Sequence, residues 1–146
     1  MRQSTIGVDV SKDVLDVCRL PGSGARCFSN TKAGRTALIR CIGEEVERIV
    51  YEPTGHYAKP LERALADAGL PAVKVNPTRA RRFAEAVGLL AKTDAVDAAM
   101  LAQMGYQLDL KPTPRPSQAV ETLKELCLAR RALIKDRTAA RNRDKR

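Results

Sequence analysis

The order in which two hydrophobic periodicities follow one another constrains this chain more than any other feature. Residues 4–10, STIGVDV, alternate: Ile6, Val8 and Val10 share one side, and Thr5, Gly7 and Asp9 the other. That is the period-2 mark of a strand. Residues 13–20, DVLDVCRL, form a second β-rich run, Pro21-Gly22-Ser23-Gly24 a turn, and residues 25–30, ARCFSN, a third run. Connections this short join antiparallel neighbours, so the first thirty residues read as a three-stranded meander.

From there the period lengthens. A helix is predicted over 31–44, with Leu38, Ile39, Ile42 and Val46 at helical spacing. A strand follows at 47–52, then a helix at 56–68 carrying Tyr57, Leu61, Leu65 and Ala68, then a strand at 71–75. Asn76-Pro77 starts the next helix, 78–88, with Asn as the cap and Pro in the first turn. Thr93 caps a helix over 94–107. Three meander strands followed by helix–strand crossovers predict an α/β domain over residues 1–110, a mixed five-stranded sheet with flanking helices.

The remainder reads differently. Residues 111–117 are a Pro-rich linker, and Ser117 caps a long helix over 118–146. Its Val120, Leu123, Leu126, Cys127, Leu133 and Ile134 fall on a rough 3-4 spacing compatible with a coiled-coil seam. The final RNRDKR carries no Gly or Pro stop signal, so the helix is expected to lead into a longer protein.

Charge separates the two parts. The chain carries a formal net +9. Residues 130–146 hold eight Lys and Arg against Asp136 and Asp144, a net of +6, which leaves +3 for residues 1–129. A basic end on a near-neutral body suits a polyanion partner, with a solvated helix face as the plainer reading. Aromatic residues make up only 3% with no Trp, which weighs against a base-stacking platform. No apolar run approaches the roughly 20 residues that span a bilayer, and the N-terminus has no signal-peptide core, so no membrane partner is expected. Cys18, Cys27, Cys41 and Cys127 are scattered without a CxxC pair. They read as free thiols of a cytoplasmic protein.

Four acids attract attention. Asp9 lies on an otherwise apolar strand, where a carboxylate needs a partner or a metal. Glu52 ends the fourth strand, and α/β sites gather at strand carboxyl ends. Asp94 and Asp97 stand three apart at a helix start, so they point the same way and the helix dipole favours their ionised forms. Converging carboxylates suit divalent-metal phosphoryl transfer, since Mg²⁺ prefers oxygen ligands. First-turn acids are common for purely local reasons, so the Asp94–Asp97 pair alone stays open between the two readings.

GVDVSKDVLDV (7–17), YEPTGHY (51–57), VNPTRARRFAEAVG (75–88) and AKTDAVDAAMLA (91–102) together resemble the N-terminal domain of the DEDD transposases of bacterial insertion sequences, a family that includes the Piv-type DNA invertases. The resemblance spans nearly the whole chain in the expected order. It implies a RuvC-like, ribonuclease H-like fold and metal-dependent DNA strand cleavage or exchange. It also implies an acid set at Asp9, Glu52, Asp94 and Asp97 holding Mg²⁺, with Mn²⁺ able to substitute. DNA is the implied partner, with a structured guide RNA in some relatives and assembly as a dimer or tetramer. In the family a second, C-terminal domain carries a serine thought to act as nucleophile.

Candidate nucleic-acid contacts are Lys92; Arg79, Arg81 and Arg82 at a helix start; and Arg130, Arg137, Arg141 and Arg143 on the last helix, each open between a phosphate contact and a solvated face. His56 is open between an acid–base role and a structural place in its loop. Ser11 and Thr54 read as turn residues ahead of site hydroxyls. Two competing functions remain. One is a nucleotide-dependent phosphotransferase half of the same strand order, although the Val10-Ser11-Lys12-Asp13 hairpin lacks a glycine-rich phosphate turn. The other is a non-catalytic nucleic-acid scaffold whose basic helix does the binding.

Overall fold

Three strands pair as an antiparallel meander: β1 (Ser4–Val10), β2 (Val14–Leu20) and β3 (Ala25–Ser29). This is a computed structural model; it describes residues 4–22, 24–89, 94–114 and 117–143, without the side chains of residues 94–96. β4 (Val46–Tyr51) joins β1 in parallel, and β5 (Ala72–Lys74) joins β4 in parallel, giving the order β3-β2-β1-β4-β5. The expected mixed five-stranded sheet is therefore present.

Helices cover both faces. α1 (Lys32–Ile42) and α2 (Lys59–Asp67) place Leu38, Ile42, Leu61 and Leu65 against Ile6, Val8, Val10, Leu15, Val17, Ile49 and Tyr51. α3 (Pro77–Ala86) and α4 (Asp94–Gln107) lie on the opposite face, where Ala80, Met100, Leu101 and Met104 pack with Val50, Val73 and Val75. Each fully buried Leu or Ile contributes about 1.5–3 kcal/mol, so the two layers hold the sheet from both sides.

Local chemistry fixes the helix starts. Thr31 caps α1 by accepting from the Gly34 N–H, and Asn76 caps α3 by accepting from the Thr78 N–H at 2.8 Å, with Pro77 in the first turn. The expected helix over 56–68 is split. Gly55–Tyr57 forms a single 3₁₀ turn, and α2 begins only at Lys59. Pro60 explains the break, because its ring collides with the carbonyl four residues back and is tolerated only in a first helical turn.

The polar side of β1 is not a solvent face. Thr5 is 1% exposed, and α4 crosses the sheet directly above Gly7. A Cβ at Gly7 would overlap the backbone of Ala98 and Ala102. Gly105 makes the matching approach from the helix side, against Val50 and Thr5. Two glycines, one on each element, thus let helix and sheet meet almost backbone to backbone.

Arg48 fastens the far end of α4. It is 8% exposed, and its guanidinium donates to the carbonyls of Gly105 at 3.3 Å and Leu108 at 2.8 Å while pairing with Glu47. A buried cation on the last carbonyls of a helix satisfies acceptors the helix leaves open and complements its dipole.

The chain divides into two units, Met1–Thr113 and Pro114–Arg146. The first reaches into the expected linker because Thr113 bonds the β5 edge: its N–H donates to Ala72 O at 2.8 Å and its Oγ1 accepts from the Lys74 N–H at 3.0 Å. The second unit contains α5 (Gln118–Arg143), a continuous 26-residue helix. Among its described residues none is buried, and Leu123, Leu126, Leu128 and Leu133 are each at least 60% exposed.

Candidate functional site

Strand register brings the first two acids together. Val8 pairs with Tyr51 across the parallel β1–β4 ladder. One residue further on stand Asp9 and Glu52, on strands that neighbour each other at about 4.8 Å. Val8, Val10 and Tyr51 belong to the α1/α2 core, so alternation sends Asp9 and Glu52 to the α4 side. Both are half-buried.

The third acid arrives from above. Gly7 fixes α4 over β1 at Ala98, the residue after Asp97. Asp97 is half-buried, and its charge reaches Glu52. The Glu52 carboxyl is pushed above the usual carboxylate range, first by burial and then by Asp97, while the Arg81 guanidinium pulls it back in part. Asp94 begins α4 one turn earlier, but its side chain lies outside the described residues, as do Lys92 and the Thr93 cap.

A further carboxylate was missed in the sequence. Asp16 stands directly opposite Asp9 across the antiparallel β1–β2 ladder and is half-buried. Like charges facing each other across strands repel, a cost that a bound cation relieves. The signal lay in the alternation of β2, where Asp16 falls between the buried Leu15 and Val17.

These donors suit a hard divalent ion, being carboxylate oxygens in a half-buried, mutually repelling set. Among the described residues no three His, Cys, Asp or Glu side chains are gathered tightly enough to hold a metal by themselves. The Asp94 side chain lies outside those residues.

The remaining candidates separate cleanly. Arg79, Arg81 and Arg82 are exposed on α3, with Arg81 the one whose charge acts on Glu52. Arg130, Arg137, Arg141 and Arg143 are exposed on α5. The Ser11 hydroxyl closes the β1–β2 turn, donating to Val14 O at 2.9 Å and accepting from the Val14 N–H at 3.1 Å. Exposed His56 leans on the Tyr57 ring, with centroids 4.0 Å apart. Thr54 is exposed, and its carbonyl accepts from the Tyr57 N–H at 3.1 Å, a turn role. On the opposite face the buried Tyr51 phenol is pushed far up by burial and by its hydrogen bond and proximity to Glu62, which also pairs with Lys74 at 2.7 Å. That chain ties the end of β4 to α2 and β5.

The sequence profile of the IS110-type DEDD transposases, described as a transposase, matches residues 6–145. The chain belongs to this transposase family. It is 28% identical over 150 aligned residues to the pilin gene-inverting proteins of Moraxella lacunata and Moraxella bovis. That alignment covers 94% of this chain and 46% of each relative, so the chain spans about half the length of the curated relatives it matches. Among solved structures, Thermus thermophilus RuvC in complex with a Holliday junction substrate superimposes with a TM-score of 0.53 at 11% identity, covering 76% of this chain and 99% of RuvC. A second Thermus thermophilus RuvC structure gives 0.53 at 12% identity, covering 75% and 99%. At such identities the likeness speaks for the fold, which is ribonuclease H-like in the RuvC manner. Among the described residues no helix of this transposase-family chain is long and apolar enough to cross a membrane.

Proposed function

We propose that this chain is the acid-bearing part of a DNA transposase or site-specific recombinase, and that it binds Mg²⁺, or Mn²⁺ in its place, through Asp9, Glu52, Asp94 and Asp97. One observation carries the reading most directly. Asp9 and Glu52 leave adjacent strands on the face that α4 covers, and the Asp97 charge falls on Glu52. Family membership and the RuvC-like fold support the same chemistry.

A divalent ion held by these residues would supply activation of the attacking oxygen and charge stabilisation at the leaving oxygen of a phosphodiester. The protein's own part is positioning. β1 carries Asp9, Glu52 follows the last residue of β4, and α4 presents Asp97 from above. Burial and the Asp97 charge make the ionised form of Glu52 costly, and a cation held beside it would favour that form. Arg81, exposed beside Glu52, offers a positive charge to a DNA phosphate, and Arg79 and Arg82 extend that face. Arg130, Arg137, Arg141 and Arg143 on α5, together with Lys92, supply further backbone contacts to DNA or to a structured guide RNA. We place the protein in the bacterial cytoplasm, working as a homo-oligomer. The nucleophilic serine of the family is assigned to a further C-terminal domain beyond these residues.

Asp9→Ala in the full-length recombinase is expected to abolish recombination of a DNA substrate while leaving circular dichroism and thermal melting intact. Recombination at the parental rate by a folded Asp9→Ala protein sinks the reading.

A further inference from the structure

Asn30 joins the two segments that carry Asp9 and Glu52. Its Nδ2 donates to the Ser11 carbonyl at 2.9 Å and to the Tyr57 carbonyl at 3.2 Å. Ser11 lies two residues after Asp9, in the turn that ends β1. Tyr57 closes the loop that begins at Glu52. Both amide protons are thus used, one on each segment. The Asn30 backbone N–H adds a third tie, to Asp13 O at 2.8 Å in the same turn as Ser11.

The amide is itself held in orientation. Arg35, on α1, donates from one guanidinium nitrogen to Asn30 Oδ1 at 2.9 Å and to the Asn30 carbonyl at 2.7 Å. With Oδ1 committed to Arg35, the NH₂ group has to face the two carbonyls. Beyond Val8 and Tyr51 the β1–β4 ladder has ended, so sheet hydrogen bonds do not fix the spacing of the next residues. The amide bridge supplies a fixed spacing where the ladder stops.

We propose that Asn30, oriented by Arg35, is a positioning residue that sets the separation of Asp9 and Glu52 and thereby tunes their grip on a divalent ion. This rests on the metal-site reading above. Groups that orient metal ligands from behind typically change affinity by about 10–100-fold when replaced. Neither Asn30 nor Arg35 touches the ion in this scheme.

The test is Mn²⁺ binding to the 146-residue chain, read by titration calorimetry and by the Mn²⁺ electron paramagnetic resonance signal. Asn30→Asp keeps the acceptor for Arg35 and removes both donated bonds. It is expected to weaken Mn²⁺ binding by about tenfold or more. Arg35→Ala leaves Asn30 in place but frees its amide, and is expected to weaken binding in the same direction by a smaller factor. Ile42→Val, in the α1 core, lowers the melting temperature without touching the bridge and is expected to leave Mn²⁺ affinity unchanged. Affinity within twofold of the parent in a folded Asn30→Asp chain overturns the proposal. If Asn30→Asp does not fold, unchanged affinity in Arg35→Ala overturns it instead. Equal losses in Ile42→Val and Asn30→Asp also overturn it, because the effect would then be general loosening. Failure of the parent chain to bind Mn²⁺ at all defeats the metal-site reading itself, a result distinct from the others.

Discussion

Replacing Gly7 by Ala adds one methyl group where α4 lies against the backbone of β1. The new Cβ would meet the Ala98 carbonyl oxygen and the Ala102 nitrogen, which are backbone atoms of α4. A flexible side chain can swing away from such an intruder; a helix backbone cannot. α4 therefore has to withdraw by about 1.4 Å, from 2.0 to 3.4 Å, to reach ordinary contact distance. A gap of about 1 Å already forfeits roughly half of the dispersion attraction, so this one forfeits at least that along the interface. The interface includes Ala98, Leu101, Ala102 and Met104, all at most 1% exposed. Overpacking usually costs about 1–3 kcal/mol, and a backbone-on-backbone overlap belongs at the upper end, about 3 kcal/mol. At roughly 4 °C per kcal/mol for a domain of this size, the melting temperature should fall by about 12 °C. Gly105→Ala is the comparison. Its Cβ meets side-chain methyls of Val50 and Thr5, and Ala gains about 1 kcal/mol of helix propensity over Gly. It should therefore cost clearly less than Gly7→Ala. Thermal and urea denaturation followed by circular dichroism measure both. A Gly7→Ala chain within about 0.5 kcal/mol of the parent, the range of an ordinary surface change, refutes the close-approach argument.

Two further outcomes follow from side chains at either end of α4. The folded-state pKa of Glu52 is raised by burial, then by Asp97, against the pull of Arg81. A raised value means that the associated stability is present below the unfolded pKa of about 4.3 and is lost as pH rises through the folded value. Glu52→Gln in chelator should therefore melt higher than the parent at pH 7–8, with the gap closing below about pH 4; a gap independent of pH removes the electrostatic explanation. Arg48→Leu strands the carbonyls of Gly105 and Leu108 and should cost about 2–3 kcal/mol in urea unfolding. Its contact with Asp109 adds little, because that carboxylate is 88% exposed. A cost below about 0.5 kcal/mol in that assay would show that water replaces the guanidinium.

Much of the architecture is legible along the chain because its cause is local. Alternation in STIGVDV separates Asp9 from Ile6, Val8 and Val10, and the structure keeps that separation. Asn76-Pro77 starts a helix through a side-chain cap and a ring already set to helical φ, and α3 starts there. Pro60 carried its own warning within the expected helix over 56–68, and the break falls beside it. Arg48 left a fainter mark, a cation inside the strand VERIVY. Nothing nearby in the sequence says that the carbonyls it serves lie 57 and 60 residues away.

The acids divide along the same line. The sequence by itself determined which carboxylates sit on a strand, at a strand end and in a helix start, because those are short-range patterns of period and capping. It also set the basic character of α5. Only the tertiary structure decided that Asp9 and Glu52 are neighbours, since that depends on the β1–β4 register between segments 43 residues apart. It decided too that Asp16 faces Asp9 and that Asn30 bridges the loops. Pairing between distant strands depends on how both faces of the sheet are filled. The side of β1 that reads as polar is filled by a helix lying on a glycine, and that contact sets Asp97 over the sheet within reach of Glu52.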